Sequence, residues 1–200
     1  MATNSTNAPC SIDSLFVEPT ILNNPQNSLK ESQTIRYNIE KILSRKVNFL
    51  IYGLKESGKT ILLDKLFLDA IRKFNQFNKI PIYLKFSDFK NKDIEKIIRE
   101  YLGQPSKAIQ ELLTENDSII FIDDLSFSEK NATQISALKV LIQKYPKIQI
   151  IATADQATEN AIPTDYLDHN DILNFEVGFI QNLNSHEKKS WLVNGLSARK

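Results

Sequence analysis

The 200-residue sequence predicts an α/β fold of three layers, in which a mainly parallel sheet of five strands lies between two layers of helices. Two observations predict this fold. Segments typical of strands alternate along the chain with segments that repeat apolar residues at helical spacing. The strand segments, such as "IIFI" and "IQII", are continuous apolar runs, and strands of this kind are typical of a parallel sheet covered on both faces.

The chain divides into four predicted segments. Residues 1–13 are small and polar and are expected to be a disordered tail. Residues 14–46 are a leading segment, in which the apolar patch "SLFVEPTIL" precedes a helix over about 30–45. Residues 47–183 are the α/β core, and residues 184–200, with Trp191, are the start of a truncated helical lid.

Strands and helices follow one another through the core. Each predicted helix carries apolar residues on one face, and Gly103 is expected to end one of them. The predicted strands are 49–52, 79–87, 117–126, 147–154 and 172–180, and the predicted helices are 61–71, 92–102, 106–116 and 132–145.

The charge balance is close to neutral, with 25 Lys and Arg against 24 Asp and Glu. Such a balance argues against nucleic acid and acidic membranes as partners, so neither is predicted. No apolar run is long enough to span a membrane, and the N-terminus has no signal-peptide pattern. The single cysteine, Cys10, cannot form an internal disulfide, and the predicted location is cytoplasmic.

The segment "GLKESGKT", residues 53–60, joins a predicted strand to a predicted helix and matches the phosphate-binding pattern G-x-x-x-x-G-K-[ST], the Walker A motif or P-loop. Its glycines allow a tight backbone, its lysine can reach the β- and γ-phosphates of a nucleotide, and its threonine can offer a hydroxyl group to Mg²⁺. The predicted nucleotide-binding residues here are Gly53, Leu54, Lys55, Glu56, Ser57, Gly58, Lys59, Thr60 and Ile61.

Two aspartates follow the apolar run "IIFI", as expected of a Walker B strand. Asp123 is predicted, with Thr60, to hold Mg²⁺. Asp124 either orients an attacking water molecule, which would make it catalytic together with Lys59, or is a solvated neighbour. The sequence leaves both interpretations open.

A whole strand-and-helix unit separates the Walker A strand from the Walker B strand along the chain. In one large division of the P-loop NTPases, a later strand, the sensor strand, lies between these two. The tip of that strand is predicted to be Thr153, whose hydroxyl either contacts the γ-phosphate or is an ordinary strand-end group. The predicted fold is therefore a P-loop NTPase three-layer sandwich with the Walker strands separated by the sensor strand.

This set of motifs resembles the STAND class of signalling P-loop NTPases, which includes the NACHT and NB-ARC groups, over about residues 14–191. "IIFIDDLS" is similar to the double-aspartate form of their Walker B strand. "SLFVEPTIL" is similar to the segment that flanks the adenine in many members, which implies contacts from Val17 and Pro19. The resemblance implies ATP or ADP with Mg²⁺ as ligands and a role as a nucleotide-dependent switch. It also implies partners through self-association or through effector and sensor domains in a longer chain.

The sequence also departs from the STAND pattern. Ser126 and Phe127 stand where NACHT members carry acidic residues, and Asp155 lies near the place where many STAND members carry an arginine. We therefore expect slow ATP hydrolysis at most. The alternatives are an AAA+-like motor or loader ATPase and a nucleotide-binding scaffold without hydrolysis. A small GTPase is disfavoured, because no Asn-Lys-x-Asp motif follows the fourth predicted strand.

Overall fold

The computed structural model describes residue 13 and residues 16–25, 34–89, 93–157 and 173–181. Within these residues, one sheet of seven strands forms the middle layer. The strands are β1 (Ile21–Leu22), β2 (Arg36–Tyr37), β3 (Asn48–Gly53), β4 (Ile80–Lys85), β5 (Ser118–Leu125), β6 (Ile148–Asp155) and β7 (Phe175–Ile180).

The strand order is β2-β1-β7-β3-β6-β5-β4, and the last five of these strands are parallel neighbours. The P-loop strand β3 and the aspartate strand β5 both pair with β6 and not with each other. The predicted separation of the Walker strands by the sensor strand is therefore confirmed, as is the α/β P-loop fold. Because the carboxyl ends of parallel strands meet at one edge, this order brings residues 53, 123 and 155 to a common edge of the sheet.

Helices cover both faces of the sheet, and each face has its own apolar core. The α-helices of the described residues are α1 (Ile39–Ser44), α2 (Lys59–Arg72), α3 (Phe74–Phe77), α4 (Ile94–Leu102), α5 (Ser106–Glu115) and α6 (Ala132–Lys144). One core includes residues from α1 and α2 and from β3, and the other includes residues from α4, α5 and α6. The predicted Gly103 terminus is confirmed, since Gly103 caps α4 in the left-handed conformation with φ 65°.

The leading segment differs from its prediction. The helix predicted over 30–45 begins only at Ile39, where the Asn38 side chain accepts a hydrogen bond from the Lys41 N–H at 2.8 Å. Residues Arg36–Tyr37 instead form β2, which pairs antiparallel with β1, and β1 in turn pairs with β7. The five parallel strands are therefore extended by two short antiparallel strands that local sequence patterns do not predict.

A buried ammonium group connects the leading segment to the sheet. Lys79 is only 8% exposed, and its Nζ donates to the carbonyl oxygens of Leu43 at 3.0 Å and Arg45 at 2.6 Å and to Gln149 Oε1 at 2.5 Å. The Gln149 amide donates in turn to the carbonyl oxygen of Val47 at 3.0 Å. Burial lowers the pKa of Lys79 below its ordinary value. This network joins the end of α1 to β6 and to the residue that precedes β4.

Several predictions concern residues that the structure does not describe. The disordered tail, apart from residue 13, and the lid helix at 184–200 with Trp191 lie outside the described ranges. None of the helices in the described ranges is long and apolar enough to cross a membrane. The cytoplasmic location stays a prediction.

Candidate nucleotide-binding site

The loop between β3 and α2 has the backbone geometry of a close-fitting cradle. Gly58 adopts φ +86°, a conformation that residues with a Cβ rarely take. At Gly53 a Cβ would lie 2.3 Å from Ser57 Oγ and 3.0 Å from Lys59 Cγ, so only glycine fits without displacement of the loop. The loop is therefore folded tightly around the space above the first turn of α2.

Lys59 lies under this loop and is 7% exposed. Its Nζ donates to the carbonyl oxygens of Gly53 at 3.2 Å and Leu54 at 2.9 Å. It also forms an ion pair with Asp155 Oδ1 at 2.8 Å. The lysine is thus held by its own loop and by the last residue of β6.

A chain of three side chains links the helix start to the two neighbouring strands. Thr60 Oγ1 donates to Asp123 Oδ2 at 3.0 Å, and Thr153 Oγ1 donates to Asp123 Oδ1 at 2.7 Å. Thr153 Oγ1 also accepts from the backbone N–H of Asp124 at 3.2 Å. Since Asp123 is only 6% exposed and Thr153 is fully buried, both oxygens of the Asp123 carboxylate are fixed in place.

The two aspartates of β5 lie in a β-bulge. Pairing between β5 and β6 is regular up to Ile122, then shifts and resumes at Leu125 opposite Ala154. Asp124 is the extra residue and adopts φ 58° in the left-handed region, which aspartate tolerates better than most residues. Partial burial, and then the nearby charges of Asp123 and Asp155, raise the pKa of Asp124 above its ordinary value.

A cavity of about 360 Å³ opens at this edge of the sheet. Asp124 and Asp155 line it together with Ser126, Ser128 and the buried Tyr52. The polar residues of its lining are therefore two aspartates, two serines and one tyrosine.

The structure brings most of the predicted site residues together. Thr60, Asp123 and Thr153 form a hydrogen-bonded group, which Asp124 adjoins through its backbone. Lys59 precedes Thr60 in the chain and contacts Asp155. The hydroxyl of Thr153 is already bonded to Asp123 and Asp124, so in this structure it positions the aspartate. Its predicted contact with a γ-phosphate stays a prediction. The strand also continues to Asp155, which pairs with Gly53, so Asp155 and not Thr153 is its tip.

Three other predicted residues lie at the margin of this group. Ile61 is 54% exposed in the first turn of α2. Val17 and Pro19 are half-buried and precede β1, which runs antiparallel to β7 with Ile21 opposite Ile180. They therefore lie towards the same edge of the sheet as the P-loop. Their contact with an adenine stays a prediction.

The residues present fit a nucleotide with Mg²⁺. The cradle at Gly53 and Gly58 leaves backbone N–H groups at a helix start, where anions bind. Ser57 Oγ is buried inside the loop and has no hydrogen-bond partner among the described residues. Thr60 Oγ1 and the Asp123 carboxylate supply adjacent oxygen atoms, which are the ligands that Mg²⁺ prefers.

Residues 28–146 match the family described as "P-loop containing dynein motor region", which spans more than half of the chain. The chain belongs to this family. It is accordingly a P-loop NTPase domain of the AAA+ type. Among curated proteins, none is similar enough in sequence to count as a relative.

Solved structures of this AAA+ type share the fold. Domain III of the replication initiation protein DnaA from Thermotoga maritima has a TM-score of 0.56 and 16% identity, with 80% of this chain and 66% of that chain covered. AMPPCP-bound DnaA from Aquifex aeolicus has a TM-score of 0.52 and 20% identity, with 80% and 47% covered. The chain thus spans between about half and two thirds of the length of these structures.

The exclusion of nucleic acid as a partner is wrong. The solved structures that share the fold include a DNA replication initiation factor, with a TM-score of 0.54 and 17% identity over 80% of this chain and 47% of that chain. A net charge of +1 describes only the field of the whole chain and does not exclude a local basic surface. The prediction that nucleic acid is not a partner is therefore withdrawn.

Replacing Thr153 by valine is expected to destabilise this AAA+ domain by about 1–3 kcal/mol, because the Asp124 N–H and one Asp123 oxygen lose a buried partner. Urea unfolding measures the change. Thr153→Ser keeps the hydroxyl and loses only a methyl group, so it should cost about 1 kcal/mol or less. Equal losses in the two variants would show that the hydroxyl has no such role.

Proposed function

We propose that this AAA+-type domain binds ATP and ADP with Mg²⁺ and acts as a nucleotide-dependent switch. The observation that carries the proposal is the hydrogen-bonded group of Thr60, Asp123 and Thr153, which lies beside Lys59 at the start of α2. Such a group is suited to binding phosphate and a divalent cation at one point. A change in that contact would be transmitted through β5 and β6, the strands that carry Asp123 and Thr153.

Each residue has a separate proposed role. Lys59 would bind the β- and γ-phosphates, and Thr60 and Asp123 would hold Mg²⁺, which neutralises phosphate charge when it is bound. Asp124, exposed at the bulge, would orient a water molecule. Val17, Pro19 and Ile61 would contact the adenine. The AMPPCP bound to the similar Aquifex aeolicus DnaA supports an adenine nucleotide.

Slow hydrolysis follows from the positions of the arginines. Arg45 pairs with Glu176, Arg72 with Asp13, and the Arg99 guanidinium donates to Ser106. None of these three contacts is with the residues of the site. Arg36 lies in β2, three strands away from the P-loop strand β3, and Arg199 lies outside the described ranges. Charge that develops on a γ-phosphate would therefore meet mainly Lys59 and the metal.

The family match favours the AAA+-like alternative, a motor or loader, over the STAND-type signalling switch. The two proposals involve the same nucleotide-binding residues and differ in what happens to the bound nucleotide. A loader or motor assembles with neighbouring subunits and turns over, whereas a STAND-type switch retains its nucleotide until a signal arrives. An ATP turnover rate per molecule that rises with protein concentration would favour the motor or loader.

The direct test is to identify the nucleotide retained after purification by mass, followed by calorimetric titration with ADP, ATP and GTP. Retained ADP or ATP, with micromolar or tighter affinity, is the expected result. Preference for GTP would overturn the adenine assignment. Absence of binding to all three would overturn the proposed function.

Replacing Asp123 by asparagine is expected to weaken nucleotide binding with Mg²⁺ more than binding without it, because the carboxylate acts on the metal and not on the phosphates. Titrations of ATP with Mg²⁺ and with a chelator separate the two effects. Asp117→Asn, at the opposite edge of the sheet, is the control for a lost charge and should change neither titration. Equal losses with and without metal would make Asp123 a structural residue.

A further inference from the structure

The ammonium group of Lys59 uses its full donor capacity in contacts within the protein. It contacts two carbonyl oxygens of its own loop and Asp155 Oδ1 at 2.8 Å, and a lysine has three N–H donors. A phosphate oxygen can therefore bond to Nζ only if one of these three partners leaves.

Asp155 is the partner that can leave. The two carbonyl groups belong to the backbone of the loop, whereas the Asp155 side chain is 75% exposed. Its rotation breaks no other ion pair among the described residues. Because the carboxylate of this ion pair is exposed, water screens its attraction to the buried ammonium group and reduces the contribution of the pair to stability.

The backbone of Asp155 is nevertheless fixed. It pairs with Gly53 across β3 and β6, and the next N–H, that of Gln156, donates to the Gly53 carbonyl oxygen at 3.0 Å. The side chain can rotate, but its charge stays beside the first residue of the P-loop. Asp124 lines the same cavity, so two carboxylates face this space.

We propose that Asp155 is a specificity-determining residue, which occupies Lys59 in the absence of nucleotide and biases the site towards a nucleoside diphosphate over a triphosphate. The proposal rests on the proposed function. A γ-phosphate adds negative charge at the end of the strand next to Asp155, and Lys59 is the group for which both anions compete. A diphosphate lacks that group and meets less repulsion.

The test is calorimetric titration of wild type and Asp155→Asn with ADP and with AMPPCP, with and without Mg²⁺. Because asparagine keeps the shape and removes the charge, the affinity for AMPPCP should rise about 3- to 10-fold and that for ADP less than about 2-fold. Asp155→Ser is a second variant, for which we expect the same change in the ratio of the AMPPCP affinity to the ADP affinity. Asp117→Asn removes an equal charge at the opposite edge and should leave both affinities unchanged.

The outcomes are distinguishable. If wild type binds both nucleotides and the variants leave the ratio of the two affinities unchanged, Asp155 does not determine specificity and only this proposal is overturned. A parallel rise for ADP and AMPPCP also overturns it, because competition for Lys59 would then not discriminate. If wild type binds neither nucleotide, the proposed function fails, and this proposal fails with it.

Discussion

Replacing Lys59 by alanine is expected to lower the affinity for ATP by roughly 10- to 150-fold, since a charge-assisted hydrogen bond in a partly desolvated site is worth ~1.5–3 kcal/mol. The side chain is almost fully buried under the P-loop, and its Nζ donates to the carbonyl oxygens of Gly53 and Leu54 in that loop. Calorimetry with ATP measures the loss.

Lys55→Ala is the matched control. Lys55 belongs to the same loop and carries the same charge, but its side chain is exposed, and its predicted contact with phosphate is through the backbone N–H, which alanine keeps. Its removal should change the affinity by less than about 3-fold, the scale of an exposed ion pair. Unchanged ATP affinity in Lys59→Ala, or equal losses in both variants, would remove the P-loop from the binding site.

Turnover by residues 1–200 is expected to be well below the ~10 per second that is typical of enzymes. Arg45, Arg72 and Arg99 contact residues outside the described site, and Asp124 is the one exposed carboxylate proposed to act on water. An arginine supplied by another subunit adds about 10³- to 10⁵-fold in other P-loop enzymes, so assembly would restore a fast rate.

Single-turnover hydrolysis of bound ATP, measured at several protein concentrations, tests this expectation. Slow hydrolysis at low concentration is the expected result. Asp124→Asn keeps a side chain that tolerates the left-handed conformation at this position, so it separates loss of the carboxylate from distortion of the bulge. Fast turnover that does not depend on concentration and that disappears in Asp124→Asn would show a self-sufficient ATPase.

The sequence predicted the parts of the fold that depend on local patterns. Apolar runs located the five parallel strands, and glycine at the end of α4 marked its terminus. Pairing of only two residues in β2 was not predictable, because it depends on β1 and β7, which are remote in sequence. The helix predicted over 30–45 included Ile35, yet Ile35 is 47% exposed and precedes a strand.

The site residues that the sequence predicted are those whose type and position in a motif indicate their chemical role. The glycines, lysine and threonine of the P-loop and the aspartate after "IIFI" can each be recognised from their positions in the sequence. The ion pair between Lys59 and Asp155 was not predicted, although Asp155 stood out as an acidic residue where an arginine was expected. Its contact depends on the pairing of β3 with β6, which places residues 53 and 155 side by side.

The Lys79 network has a consequence for how the domain unfolds. If α1 separated from the sheet, the ammonium group would remain beside Gln149 without the two carbonyl oxygens that now accept its hydrogen bonds. A buried cation without acceptors is costly, so α1 is coupled energetically to the strands behind it. The amide protons of α1 should therefore exchange with solvent at rates close to those of β3 and β6, and the short helix should behave as part of the central cooperative unit instead of a fraying end.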